Sequence, residues 1–389
     1  MEKVGLEFRA IISGDFKAKL GRSSTEVNPF IRDFEVYSAQ GPLDSRGRDL
    51  LKELEEMGLL NFYDIEAFLK MCKCPANVST SMPSEFLLLG LSWIEDKALW
   101  LAIPLTVWYS FSCVANCTLI TIIVAERNLH KTMFIYIAVL GVVDLMLSGS
   151  VIPKVLAILW FESYTISADA CLMQMFLFFG IESVEVSLFM LMSYDRYAAI
   201  CHPLRYPSII TNSFILKSAL ILFTRNMIFL STMPYLTIWM PYCMSNIVPN
   251  SFCEHLAVIK LSCGDRTPNN IFMLALVCIH TVADCGLIGL SYLFILRVVL
   301  SLASSEARKK AFNTCSTHII IIGFFVSACI FSFLVYMFDT NAPLYIQTTS
   351  TLLIGLVPPL LNPIAFGIRM KEIRQGLKKL TLQIHHQRL

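Results

Sequence analysis

Charge is scarce in this chain. Only 15% of its 389 residues are Asp, Glu, Lys or Arg, 56% are hydrophobic, and the mean hydropathy is +0.63. Soluble domains carry about 25% charged residues. So little charge excludes a disordered chain, a nucleic-acid-binding domain working through basic patches, and most soluble enzymes. The chain also lacks a Gly-rich phosphate loop, a cluster at metal-ligand spacing and a nucleophile triad, so neither a cofactor nor covalent chemistry is expected. No cleavable signal peptide precedes the apolar body, so the first apolar run is expected to act as the signal anchor. What is left is a protein of the lipid bilayer.

The charge that is present is unevenly spread. Residues 1–76 hold 24 of the 60 charged residues, and the other 313 hold 36. Residues 1–76 therefore read as an atypical charged N-terminal extension, with Gly41-Pro42 as a break and an amphipathic helix over Asp49–Lys70. An alternative upstream start or a mis-assembled first exon would explain it as well as a functional domain. The Cys72-x-Cys74 pair in it has too few partners for a zinc site.

A bilayer-crossing helix needs about 20 mostly apolar residues. Seven stretches qualify: Leu99–Val124, Met133–Ile158, Ala170–Tyr194, Phe214–Met240, Asn270–Arg297, Thr314–Phe338 and Tyr345–Phe366. Fifteen Lys/Arg fall on one set of loops and the C-terminal segment, against Lys97, Lys260, Arg266 and arguably Lys154 on the other set. Positive charge stays inside. The expectation is an all-α membrane protein, a seven-transmembrane helix bundle with its N-terminus outside and its C-terminus cytoplasmic. Residues 77–98 form an extracellular segment, 99–370 the bundle and 371–389 a cytoplasmic tail. Cys171, Cys243, Cys253 and Cys263 all fall on outer segments, where two bridges are plausible and three pairings open. Asn77-Val78-Ser79 is a glycosylation acceptor on the outer side.

Several ordered motifs sit on this frame. Met192-Ser193-Tyr194-Asp195-Arg196-Tyr197 runs on to Cys201-His202-Pro203-Leu204-Arg205-Tyr206-Pro207 at the inner end of the third span. Lys310-Ala311-Phe312-Asn313-Thr314-Cys315-Ser316-Thr317-His318 opens the sixth span, and Pro358-Pro359-Leu360-Leu361-Asn362-Pro363-Ile364-Ala365-Phe366 closes the seventh. Pro83-Ser84-Glu85-Phe86-Leu87-Leu88-Leu89-Gly90 precedes the first span, and the long outer loop spaces Cys243, Cys253 and Cys263 by ten residues. Over residues 77–380 the chain resembles the olfactory receptors, class I (fish-like) branch, within the rhodopsin-like G-protein-coupled receptors.

The resemblance implies an odorant receptor in the plasma membrane, not an enzyme. It would bind a small-molecule odorant and activate a stimulatory, olfactory-type heterotrimeric G protein that raises cyclic AMP. Asp195, Arg196 and Tyr197 would form the cytoplasmic switch, where a snorkelling Arg is the bland alternative. Asn362-Pro363 removes a backbone hydrogen bond and allows a kink. Asp144 and Glu185 match positions that approach each other beside Asn116, and could share a proton or a Na⁺ ion or simply bond helices together. The bridges carry over as Cys171–Cys253 and Cys243–Cys263. Glu182, one turn outward from Glu185, lies level with the ligand cavity, where ligand contact and helix bonding both remain open. Phe178, Phe179, Ser183, Val186, Ser187 and Phe325 would line the cavity, and His255 would face its entrance. The outer end of span six, Leu334–Phe338, has no Lys or Arg. With Glu182 in the cavity, this disfavours a fatty acid and points to an uncharged, hydrophobic volatile compound.

Two features depart from the resemblance. Phe366 stands where the family usually has Tyr, and Leu129-His130-Lys131-Thr132-Met133-Phe134 lacks the usual Pro and Tyr. They leave a non-signalling relative as one alternative. The other alternative, a transporter, would need internal repeats and broken mid-membrane helices, and no repeat is evident.

Overall fold

The computed structural model describes residues 81–89, 98–242, 246–301, 304–338 and 344–387. The charged extension, Asn77 and Cys243 lie outside them. Seven described helices are long and apolar enough to cross a membrane. They are α1 (Ala98–Ala125), α2 (Thr132–Phe161), α3 (Ala168–Cys201), α4 (Asn212–Ile238), α5 (267–301), α6 (Ser305–Phe338) and α7 (Leu344–Arg369). An eighth helix, α8 (Lys371–Gln387), occupies the stretch expected as a tail. The apolar runs located every span, because hydrocarbon accepts backbone only when its hydrogen bonds close within the segment.

Boundaries moved where the helix outlasts the apolar run. Helix α3 continues seven residues past Tyr194, so Asp195, Arg196 and Tyr197 lie inside it. Helix α6 starts nine residues before Thr314. Helix α5 consists of Thr267–Val277, a wide-turn segment Cys278–Ala283 and Asp284–Ser301. A wide turn re-phases everything after it by about 100° per inserted residue.

Lipid offers no hydrophobic drive between helices, so close approach and polar contacts hold the bundle. Large side chains such as Phe111, Leu220 and Leu290 face outward. Helix α3 is central and packs against α2, α4 and α5. Gly141 lets α2 approach α1, since a Cβ there would meet Ile120 at 3.2 Å and Asn116 Oδ1 at 3.4 Å. Gly376 does the same for α8, whose Lys379 also reaches Glu126 at 2.9 Å.

The helical expectation omitted a small sheet at the outer end. Strand β1 (Glu85–Leu88) lies between β2 (Thr165–Ser167), antiparallel, and β3 (Ile247–Val248), parallel. Phe86 and Leu88 are fully buried with Tyr242, Val248 and Cys253 beneath the long loop. Lys154 Nζ donates to Ser163 O (2.8 Å) and Thr165 O (2.7 Å), which places it at this same end.

Candidate functional site

The long outer loop is folded back over the bundle. Cys171 at the start of α3 is bonded to Cys253, with Cα atoms 5.3 Å apart. Gln174 accepts from Cys253 N at 3.0 Å. Beyond the bridge, Glu254 starts a short helix, His255–Ile259, by accepting from Ala257 N at 2.7 Å. Cys263 is disulfide-bonded too, and its expected partner Cys243 lies outside the described residues.

Under this loop lies a cavity of about 90 Å³. Helix α3 supplies Phe178, Phe179, Glu182, Ser183 and Val186, and the loop supplies Glu254 and Leu256. Met273 of α5, Cys329, Ser332 and Phe333 of α6, and Thr351 of α7 complete most of the wall. Cys329 and Glu182 share this wall. Five of the expected lining residues are therefore gathered here.

Three are not. Ser187 faces α4, where its hydroxyl accepts from Arg225 Nη2 (3.0 Å) and Asn226 Nδ2 (3.0 Å). One residue past Val186, it is turned about 100° away from the cavity. Phe325 lies one turn deeper than Cys329 and packs edge-on against Phe189, centroids 5.6 Å apart. His255 is buried rather than placed at an entrance, with Nδ1 3.2 Å from Thr237 Oγ1. Glu254 was overlooked in the sequence, because the helix that it caps is only five residues long, too short for periodicity to register.

Two adjacent loop residues titrate in opposite senses. Burial raises the Glu254 carboxyl from 4.5 to about 7, with Glu182 adding to the rise and backbone N–H groups and Lys260 opposing it. Burial lowers His255 from 6.5 to about 3. Loop docking through Glu254 is strongest below pH 4.5 and weakens as pH rises to 7. Docking through His255 is strongest above pH 6.5 and weakens as pH falls towards 3. Between pH 4.5 and 6.5 the two slopes cancel. Relative to the unmodified protein, purified Glu254→Gln should lose thermal stability on acidification across this window, by about 1.4 kcal/mol per pH unit. Identical pH profiles for the two proteins would contradict this account.

Deeper in the bundle, α2, α3 and α7 bring two carboxyls onto one amide. Asn362 Nδ2 donates to Asp144 Oδ1 (3.0 Å) and Oδ2 (3.2 Å), and lies 3.5 Å from Glu185 Oε1. Glu185 Oε2, Asn116 Oδ1 and Asn362 Oδ1 are buried acceptors with no donor among the described residues. Oxygen-only donors of this kind suit a proton or a hard cation such as Na⁺. Beside them, Pro363 has no N–H, which frees the carbonyl of Pro359 one turn back. That carbonyl accepts from Ser112 Oγ (2.8 Å) and Asn116 Nδ2 (2.6 Å) of α1. The break in α7 is thus tied to α1 and sits against the carboxyl pair.

At the inner end, Asp195 is buried and fully engaged. It accepts from Arg196 Nε at 3.1 Å and from Tyr206 Oη at 2.6 Å. Tyr197 stacks edge-on against His202, with centroids 5.5 Å apart. Phe366 is buried against His318 of α6, centroids 5.5 Å apart.

Two charged residues inside the bundle, Arg225 and Asp284, are partners of each other. Mid-way along α4, Arg225 donates to Asp284 through Nη1 to Oδ1 (2.9 Å) and Nη2 to Oδ2 (2.7 Å). Asp284 directly follows the wide-turn segment of α5.

Comparison with known proteins places the sequence in a family. The family described as "Olfactory receptor" matches residues 105–384. Human olfactory receptor 52K2 is 37% identical over 302 residues, covering 78% of this chain and 96% of that receptor. Human olfactory receptor 56A1 is 40% identical over 306 residues, covering 79% and 96%. Human olfactory receptor 52R1 is 41% identical over 300 residues, covering 76% and 94%. The chain belongs to the olfactory receptor family, within its class I branch. It is a multi-pass receptor of the plasma membrane and not an enzyme.

Proposed function

We propose that this receptor binds a small, largely hydrophobic odorant beneath the disulfide-tethered loop and activates a stimulatory, olfactory-type G protein, raising cyclic AMP. The carrying observation is that one helix, α3, holds both ends of the device. Its outer half lines the cavity and its inner end carries the Asp195–Arg196 pair. The N-terminus and the long loop lie outside and α8 lies in the cytoplasm, in keeping with the Lys/Arg bias of the loops. Phe178, Phe179, Glu182, Ser183 and Val186 contact the odorant, which reaches the cavity uncharged. Asp144 and Glu185, with Asn116 and Asn362, hold a proton or a Na⁺ ion. Its loss or gain changes the fit of α7, because a ligand shifts an equilibrium only by differential affinity. Release of Arg196 from Asp195 then opens the inner face to the G protein, with Tyr197 beside it. Residues 99–370 are the receptor unit, Asn77 carries a glycan, and residues 1–76 contribute nothing to sensing.

The test is cyclic AMP in cells that co-express the full chain and an olfactory G protein, across a broad odorant panel. Arg196→Ala should abolish the response at unchanged surface level. Silence of the unmodified chain across the panel despite good surface expression would count against the sensor. It would favour a non-signalling relative, for which the observation is Phe366, a ring without the usual hydroxyl at the α6–α7 contact.

A further inference from the structure

The cavity is lopsided in charge. Glu182 and Glu254 both line it, and among the described residues no Lys, Arg or His does. Lys260 influences Glu254, but its ammonium is bonded to Gln347 Oε1 at 3.1 Å, outside the lining. Glu254 is already committed to starting the loop helix, whereas Glu182 shares the wall with the Cys329 thiol, a weak donor. A third polar group points the same way. Ser332 is 5% exposed and lines the cavity. Polar side chains set in an otherwise apolar cavity wall fix the orientation of what occupies it. The rest of the wall includes the rings of Phe178, Phe179 and Phe333, which suit an alkyl chain and the face-on approach of a cation.

We propose that the odorant is a volatile aliphatic amine whose nitrogen seats against the Glu182 carboxyl, with Ser332 as its second polar contact and Glu254 above it. This rests on the odorant-receptor reading and names the ligand class. It also shows what the uncharged expectation left out. A volatile amine travels as the neutral base, so it is apolar enough to reach the cavity. There its lone pair takes the carboxyl proton of a neutral Glu182, giving an ammonium beside a carboxylate. One proton moves, one O–H bond breaks and one N–H bond forms. An amine arriving already protonated meets the ionised carboxylate and gives the same pair. A carboxylic acid would bring a third acid into the cavity and is rejected.

The experiment uses the full chain, cyclic AMP as readout, and three matched series: straight-chain alkyl amines, the corresponding alcohols and the corresponding acids. Amines are expected to activate at the lowest concentrations and acids not at all. Glu182→Gln, which keeps shape and removes charge, should raise the amine half-maximal concentration roughly ten- to a hundredfold while moving the alcohols little. Glu182→Asp should restore part of the amine response, which a merely folding-related defect would not allow. The proposal is overturned if alcohols act and amines do not, or if Glu182→Gln leaves the amine curve in place. It is also overturned if nothing acts at verified surface expression. In that last case basal cyclic AMP decides about the receptor itself, since a coupled receptor loses it in Arg196→Ala.

Discussion

Arg225→Met should remove most of the protein from the cell surface, although Arg225 touches neither the cavity nor the inner switch. The substitution leaves Asp284, 1% exposed, in the bilayer without its bidentate partner. Breaking a buried pair from one side costs about 3–5 kcal/mol, because the remaining charge has nowhere to go. That is a large share of the 5–15 kcal/mol by which most proteins are stable. The Arg225 guanidinium also holds Ser187 Oγ, so α3 loses an anchor to α4 in the same step. Replacing both partners, Arg225→Met with Asp284→Leu, should recover surface level and thermal stability, since an apolar pair has no charge to desolvate. Asp284→Leu alone should resemble Arg225→Met. A single variant as stable and abundant as the unmodified protein would show that the pair contributes nothing.

Cys171→Ser and Cys253→Ser should each abolish delivery to the surface, and the double variant should be no worse than either. The bridge joins residues 82 apart. In the chain-entropy account a closed loop of that length is worth about 4–5 kcal/mol. The same bond places Glu254 over the cavity and sets Cys253 N on Gln174. Any protein of these variants that reaches the surface should bind odorant weakly, because the loop that roofs the cavity has then lost its covalent tie to α3. Surface labelling with and without a reducing agent is the measurement. Full odorant potency in the double variant would show that the loop needs no tether.

The seven spans were legible because the bilayer imposes long apolar runs on any helix that crosses it. The cavity face of α3 was legible as well, and Phe178, Phe179, Glu182, Ser183 and Val186 do share it. Rotation around a helix was harder to read. Ser187 sits one residue from a true lining position, which turns it onto α4, and Phe325 sits one turn too deep, where it packs on Phe189 of α3. Pairing across space was illegible: Arg225 and Asp284 are 59 residues apart, and a wide turn inside α5 sets the phase at which they meet. The sheet was hidden for a similar reason. Its strands are two to four residues long and come from three distant stretches, too short for periodicity to register.

Strand β1 fixes where a usable expression product can begin. Its backbone joins the link between α2 and α3 to the long loop, and its Phe86 and Leu88 fill the space beneath. The receptor therefore starts functionally at about residue 83 rather than at the first span. An epitope tag or fluorescent fusion can replace everything before Met82 and leave the outer sheet whole. The same tag set between Leu89 and Ala98 as a new amino terminus would strip the central strand from that sheet. Receptors trimmed in that way should reach the membrane poorly, for a reason unrelated to trafficking signals.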